Sequence, residues 1–343
     1  MTYSLLQFIL LCALTLIFVG VLTPLMRALA IKIDAVDRPT LARKMQKDPV
    51  PYLGGVGIAV GVVGASYGAL LYSDFTWQNF LLASSVLIPA LIVAIMGLID
   101  DLRGLQPWPR LIFQTVTAIV VSAILISSDT IGTPSGNRIL DIVVTTFWVV
   151  GVCNSINFFD NLDGGASGTV AVISIFIFAI AFQREQILVS ALAIVTAGAT
   201  AGFLFWNRSP AKIYMGDAGA LFLGIIISVL TIRLNPGIVP VEKSLAIPAL
   251  LMAIPILDTT VAVVSRLRRG ISPFEGGTDH LSHRLLRMGF SRRKTALSLW
   301  FLAALFGAAA LLLYTYPDTL GWAIIALAGM AWIALLIFFF GRE

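Results

Sequence analysis

Along this chain, apolar stretches of the length a bilayer demands, about 20 residues each, alternate with short polar segments. Eleven of them are predicted to be membrane-spanning helices: residues 4–25, 53–72, 79–99, 110–127, 141–159, 164–182, 187–206, 218–234, 244–265, 295–315 and 319–340. The expected fold is therefore all-α, that of a polytopic integral membrane protein. Polar links on one side, such as Ser73 to Gln78 and Gln183 to Gln186, are too short to fold or to carry chemistry. Those on the other side are longer and richer, at 27–52, 100–109, 154–168, 207–219 and 266–294. No soluble domain, linker or inverted repeat breaks the pattern. Residues 1–343 are read as a single transmembrane domain whose loops gather on one face.

Composition agrees: 58% of residues are hydrophobic, 12% are charged, and mean hydropathy is +0.95, above the range of soluble domains. Arg27 and Lys32 follow the first apolar run, whereas a signal peptide carries its charge before it. Placing the 27–52 loop in the cytoplasm assigns about 19 of the 23 Lys and Arg to that side, as the positive-inside rule expects. The N-terminus is then outside and the C-terminus inside, in a plasma (inner) membrane, with the long loops cytoplasmic. The net charge of +5 marks topology and gives no reason to expect a nucleic-acid partner. Cys12 and Cys153 both lie in apolar runs and supply neither a disulfide framework nor a metal cluster.

One polar stretch interrupts the lipid-facing pattern more than any other, Asn154 to Gly168, reading NSINFFDNLDGGASG. Asn154, Asn157, Asp160 and Asp163 recur every three residues, so on a helix each lies roughly 60° from the last, along one drifting ridge. Caps would explain one or two such side chains; four in register point to a site. Span three ends in Asp100 and Asp101, where the helix dipole disfavours negative charge by about 0.3 to 1 kcal/mol each, and adjacent like charges add to that cost. A cation is expected beside them, either Arg103 or a metal ion. Asp217 stands where an N-cap of span eight would be.

Asp100, Asp101, the ridge and Asp217 all fall on one membrane rim. A carboxylate facing lipid costs about 2.5 to 3.5 kcal/mol, so these groups are expected to share a water-filled cavity and its cations. Such oxygen ligands suit Mg²⁺, which keeps waters and bridges one or two carboxylates to substrate phosphates. The last long loop holds the only two histidines, His280 and His283, with Arg266, Arg268, Arg269, Arg284 and Arg287 close in sequence. Those arginines read equally as topology signals, and two histidines with no third ligand argue against zinc. In the first long loop, Arg43, Lys44 and Lys47 precede a helix start at Gly54, a place for anionic phosphate or for a snorkelling rim.

Together these segments resemble the polyprenyl-phosphate N-acetylhexosamine-1-phosphate transferases, the bacterial family that starts O-antigen, teichoic-acid and peptidoglycan lipid intermediates. The resemblance is carried, in family order, by RPTLARK at 38–44 with PVPYLGG at 49–55, DDLRGL at 100–105, NSINFFDNLDG at 154–164, AKIYMGDAG at 211–219 and HLSHR at 280–284. Eleven spans resemble the O-antigen and teichoic-acid initiators rather than the ten-span peptidoglycan branch, whose run of adjacent histidines is absent here. The resemblance implies transfer of an N-acetylhexosamine 1-phosphate, GlcNAc-1-phosphate first among them, from a UDP-sugar to undecaprenyl or another polyprenyl phosphate, with release of UMP. It implies a requirement for Mg²⁺, with Mn²⁺ able to substitute.

By the same resemblance Asp217 is a magnesium ligand with Asn157 beside it, Asp163 meets the uracil and Tyr214 stacks on its ring. Asp100 and Asp101 activate or orient the acceptor phosphate. Lys47, His280 and His283 hold substrate phosphates or uridine, and Asn154, Asp160 and Arg284 complete the substrate-binding set. Met45 and Ser282 stand where the initiators often have histidine, so the contacts made there are not carried over. The partners implied are the two substrates and membrane lipid; a homodimer is compatible with the sequence.

A reading from another class is an ion-coupled transporter, with Asp258 in span nine and the rim carboxylates as an ion path. Transporters keep their site at the midplane, whereas these carboxylates cluster at one face. The CDP-alcohol phosphotransferases would need more closely spaced aspartates after a DG pair than Asp163-Gly164 supplies. Asp258 is read as structural, satisfied by nearby backbone.

Overall fold

The computed structural model describes residues 3–39, 48–73, 75–128 and 134–342. Lys47 and Met45 lie outside them. Among the described residues, ten helices are long and apolar enough to cross a membrane. They are α1 (Leu5–Lys32), α2 (Gly54–Tyr72), α3 (Trp77–Arg103), α4 (Pro107–Ser127), α5 (Arg138–Phe159), α6 (Gly165–Gln183), α7 (Ile187–Asn207), α8 (Gly216–Arg233), α12 (Arg292–Thr315) and α13 (Gly321–Phe340). The ninth predicted span, 244–265, is instead a bent pair, α9 (Val241–Leu251) and α10 (Ala253–Arg268), meeting at 70°. A short α11 (Leu281–Arg287) follows, and β1 (Val36–Asp37) pairs antiparallel with β2 (Val50–Pro51) in the first long loop.

The bend has a covalent cause. Pro255 has no amide hydrogen to donate, and its ring crowds the carbonyl of Leu251 four residues back, which is where the helix breaks. The pair still crosses the bundle. Near its start Lys243 donates to the Pro317 carbonyl at 2.8 Å, in the short link between α12 and α13. At its end Arg266 reaches His280. With the bent pair counted as one span, the described residues hold eleven candidate crossings, an odd number that would leave the chain ends on opposite faces. The first helix runs to Lys32, about two turns beyond its expected end, so part of the first long loop is helical.

α8 forms the axis of the bundle, buried on nearly every side and packed chiefly on α3 and α5. α1 and α13 lie outermost, with Leu, Ile and Phe turned outward to where lipid tails would be. An all-helical spanning structure follows from the bilayer, since each backbone group must be bonded within its own segment. Contact between α3 and α8 is close enough to need a missing side chain: a Cβ on Gly97 would lie 2.6 Å from the Asp217 carbonyl oxygen. That approach brings the C-terminus of α3, with its two aspartates, against the N-terminus of α8.

Candidate active site

Four helix ends meet at one face of the bundle. Asp100 and Asp101 end α3, Arg110 lies in the first turn of α4, Asn157 in the last turn of α5, and Asp217 in the first turn of α8. Arg110 stands between two carboxylates: its Nη1 contacts Asp100 Oδ2 and donates to Asp217 Oδ2 at 2.6 Å. The other Asp217 oxygen accepts from Asn157 Nδ2 at 2.9 Å, and the other Asp100 oxygen from the Leu105 amide. The cation expected beside the aspartate pair is therefore present, but it is Arg110 and not Arg103, which is exposed at the end of α3.

Asp101 turns the other way. Its two oxygens accept the backbone N–H groups of Asp217 at 2.9 Å and Ala218 at 3.0 Å. Asp217 is thus not the cap of its own helix; the cap is supplied across the helix interface by Asp101. A carboxylate disfavoured at the end of α3 is favoured at the positive end of α8, so one contact offsets the dipole cost and fixes Asp217. Gly216 makes room for it, with φ of +67° and a Cβ position 2.5 Å from Asp101 Oδ2.

The 154–168 stretch is helical only in part. α5 stops at Phe159, Asp160 is its C-cap, and Gly164 turns the chain into α6 with φ of +72°. The single ridge over Asn154, Asn157, Asp160 and Asp163 is therefore broken after its second member, because the glycines that follow favour a turn over a further helical repeat. Asn154 sits one turn behind the site, bonded to Gln114 Oε1 and the Val150 carbonyl, both at 2.8 Å. Asp160 has its carboxyl pushed up to about 7, by burial first and then by the negative charges of Asp217 and Asp163. Asp163 accepts the Ala211 N–H at 3.2 Å and lies 3.6 Å from Arg292. Tyr214 is held by its backbone, donating to the Pro51 carbonyl at 2.8 Å and accepting from Gly54 at 3.0 Å. Burial, then Asp163, raises its hydroxyl above the usual range.

The last loop docks on this turn. Phe158 meets the His280 ring edge to face at 6.2 Å and lies 5.5 Å from the Arg266 guanidinium, and Ser282 bonds Asn161. His280 is fully engaged, its Nδ1 at 2.7 Å from Asp258 Oδ2 and its Nε2 at 3.1 Å from Arg266. Since an arginine only donates, Nε2 is the acceptor and Nδ1–H donates to Asp258. Asp258, completely buried, also accepts the Leu281 N–H at 2.7 Å. It ties the bent span to α11, partly through backbone as expected and partly through the histidine.

His283 is buried, its ring pushed down to about 4 by that burial and by His280. Asp279 is held low by Arg266 and Arg269 against the opposing effect of burial. Arg284 is nearly inaccessible and braces the fold, donating to the Asp279 and Phe339 carbonyls and to Ser265 Oγ. The structure thus gathers Asp100, Asp101, Asn157, Asp160, Asp163, Tyr214 and Asp217 at one face, sets His280 and His283 beside them, and turns Asn154 and Arg284 away.

Two residues were not singled out by sequence reasoning. Arg110 could have been found from Pro107, which marks the first turn of a helix and so places Arg110 at the rim. Buried Asn207 accepts from Gly164 N at 3.0 Å and Ser167 Oγ at 2.9 Å while donating to the Ile213 carbonyl at 3.0 Å, joining the turn to the loop before α8. A polar residue ending an apolar span was its only signal.

Among the described residues no group of three His, Cys, Asp or Glu side chains is arranged to hold a metal by itself. The donor set still fits Mg²⁺, an ion that takes one or two carboxylates and fills its sphere with water and phosphate. Asp217 has one oxygen on Arg110 and the other on Asn157, so positive charge already stands at this carboxylate.

A profile of Glycosyl transferase family 4 matches residues 83–235, which include Asp100, Asp101, the 154–168 turn and Asp217. A probable undecaprenyl-phosphate N-acetylglucosaminyl 1-phosphate transferase of Bacillus subtilis (strain 168) is 31% identical over 304 residues, covering 87% of this chain and 83% of its own. A decaprenyl-phosphate N-acetylglucosaminephosphotransferase of Mycobacterium tuberculosis is 31% identical over 326 residues, covering 85% of this chain and 80% of its own. A phospho-N-acetylmuramoyl-pentapeptide-transferase of Corynebacterium kroppenstedtii is 29% identical over 329 residues, covering 81% and 88%.

Proposed function

Because the chain belongs to the polyprenyl-phosphate N-acetylhexosamine-1-phosphate transferase family, we propose that it moves GlcNAc 1-phosphate from UDP-GlcNAc to a polyprenyl phosphate such as undecaprenyl phosphate, releasing UMP. The observation that carries the reading is the Arg110-bridged pair of Asp100 and Asp217, locked in place by Asp101. It is an acidic site with a cation already in it, at the level where a lipid phosphate would lie. The relatives supply the substrate class by their names, and those named for N-acetylglucosamine favour that sugar.

In the proposed reaction an oxygen of the acceptor phosphate attacks the β-phosphorus of the UDP-sugar, and the bond from that phosphorus to the bridging oxygen breaks. Asp217 and Asn157 would hold Mg²⁺, which neutralises charge on the reacting phosphates when bound. Asp101 keeps Asp217 aimed. Asp100 orients the incoming phosphate or accepts its proton. Tyr214 and Asp163 receive the uracil, by stacking and by hydrogen bonding. His280, held by Asp258 on one ring nitrogen and Arg266 on the other, lies at the edge of the site.

We assign this face to the cytoplasm on the charge asymmetry, about 19 of the 23 basic residues falling on its side. The transporter alternative has no support among the relatives, and Asp258, its proposed ion ligand, is already satisfied. Purified protein given UDP-GlcNAc, undecaprenyl phosphate and Mg²⁺ should release UMP and lipid-linked sugar in equal amounts, and chelation should stop both. Sugar consumption without UMP would refute the proposal.

A further inference from the structure

At the same end of the bundle as the carboxylates, a groove of about 570 Å³ lies between α1, α7 and α12. Its walls are hydrocarbon and aromatic: Leu16, Leu204 and Phe205 on one side, Leu297 and Trp300 on the other. Phe205 and Leu297 are more than half exposed, on faces that a bilayer would cover. At the rim stand Arg208 and Arg293, both exposed, and neither meets an acidic partner among the described residues. Asp163 also lines the groove, but its charge is already met by the Ala211 N–H and by Arg292.

Net positive charge above an apolar slot fits an amphiphile with an anionic head. A zwitterionic lipid offers the same phosphate but brings its own cation, which the two arginines repel, whereas a net-anionic headgroup leaves its phosphate charge to the guanidinium forks. Basic pockets between spans on the cytoplasmic side are where anionic headgroups collect. The groove also touches the site already described. Trp300 Nε1 donates to the Gly164 and Gly165 carbonyls at 3.1 and 3.3 Å, and its ring lies against Gly168. Arg293 donates to the Ser209 carbonyl at 3.0 Å, two residues before the Ala211 N–H that holds Asp163.

We infer that this groove binds an anionic phospholipid of the surrounding leaflet, and that its occupancy steadies the Asp163–Gly168 turn. Only the second half rests on the proposed transferase reading. The test uses the full chain in phosphatidylcholine nanodiscs with increasing phosphatidylglycerol, reading lipid retention by native mass spectrometry and UMP release by assay. Wild-type protein should retain phosphatidylglycerol, and its KM for UDP-GlcNAc should fall as that lipid is added. Arg208→Ala and Arg293→Ala should each weaken retention about fivefold, and together about 25-fold, at the usual weight of one basic residue near an anionic headgroup. Leu297→Trp fills the slot from an exposed position and should abolish retention and the KM response, while leaving the KM for polyprenyl phosphate in pure phosphatidylcholine unchanged. Wild-type retention in all four variants overturns the site. A raised KM for polyprenyl phosphate in Leu297→Trp overturns it too, by giving the groove to the acceptor's tail. If wild-type protein releases no UMP, the transferase reading fails, and retention alone still decides the lipid site.

Discussion

Asp100 and Asp217 share a guanidinium, yet their other contacts differ, and that difference separates their roles. Asp217 is met by Asn157 and has its backbone fixed by Asp101; Asp100 is met by the Leu105 amide within its own turn. If Asp217 holds Mg²⁺, Asp217→Asn keeps an oxygen but loses a charge, so metal affinity should fall and excess Mg²⁺ should recover part of the activity. Asp100→Asn should lose about 10²- to 10⁴-fold in kcat, as for a general base, with no such recovery. Rates measured against Mg²⁺ for both variants decide it; rescue of Asp100→Asn alone would reverse the two assignments. The acidic residues themselves were legible in the sequence, because charge at an apolar rim costs free energy without a use for it. Arg110 and the turning of Asp101 toward α8 were not. Both depend on which helix ends meet, and spacing along one chain does not contain that.

Among the elements, the spans were legible to within about a turn at each end, α1 excepted, because bilayer thickness fixes their length. The break at Pro255 is the kind of local covalent effect that a sequence displays openly. The turn after Phe159 is harder to read, since Asn and Asp at every third position suit a helix and a run of caps alike, and Gly164 decides between them. α11 shows a further limit: His280 only caps this short helix and His283 lies within it, and their burial comes from α10 and α12 packed against α11 and from Phe158 at the end of α5.

That burial has a consequence for stability. The folded chain holds the His283 ring at about 4, below its ordinary 6.5. Between these values the unfolded chain binds a proton that the folded chain refuses, so this contribution is complete above about pH 6.5 and is lost as pH falls through about 4. It amounts to about 3 kcal/mol at most. Melting temperature against pH should therefore fall more steeply on the acid side for the wild type than for His283→Gln. Parallel curves would mean that His283 protonates in the fold without penalty.

For the whole molecule, the bundle puts the candidate chemistry at one end and short links at the other. The assignment of the chemical end to the cytoplasm rests on charge alone. A cysteine at exposed Ser272 should be protected from impermeant thiol reagents in intact cells, and one at exposed Gln78 should react. The inverse pattern would move the site to the outer face, away from any cytoplasmic nucleotide sugar.

The central claim is that a sugar moves together with one phosphate. UDP-GlcNAc labelled at its β-phosphorus, incubated with the purified protein, Mg²⁺ and undecaprenyl phosphate, should deliver its label to the lipid and leave unlabelled UMP in the aqueous phase. Label retained in water-soluble UDP, with sugar alone on the lipid, would contradict the assignment.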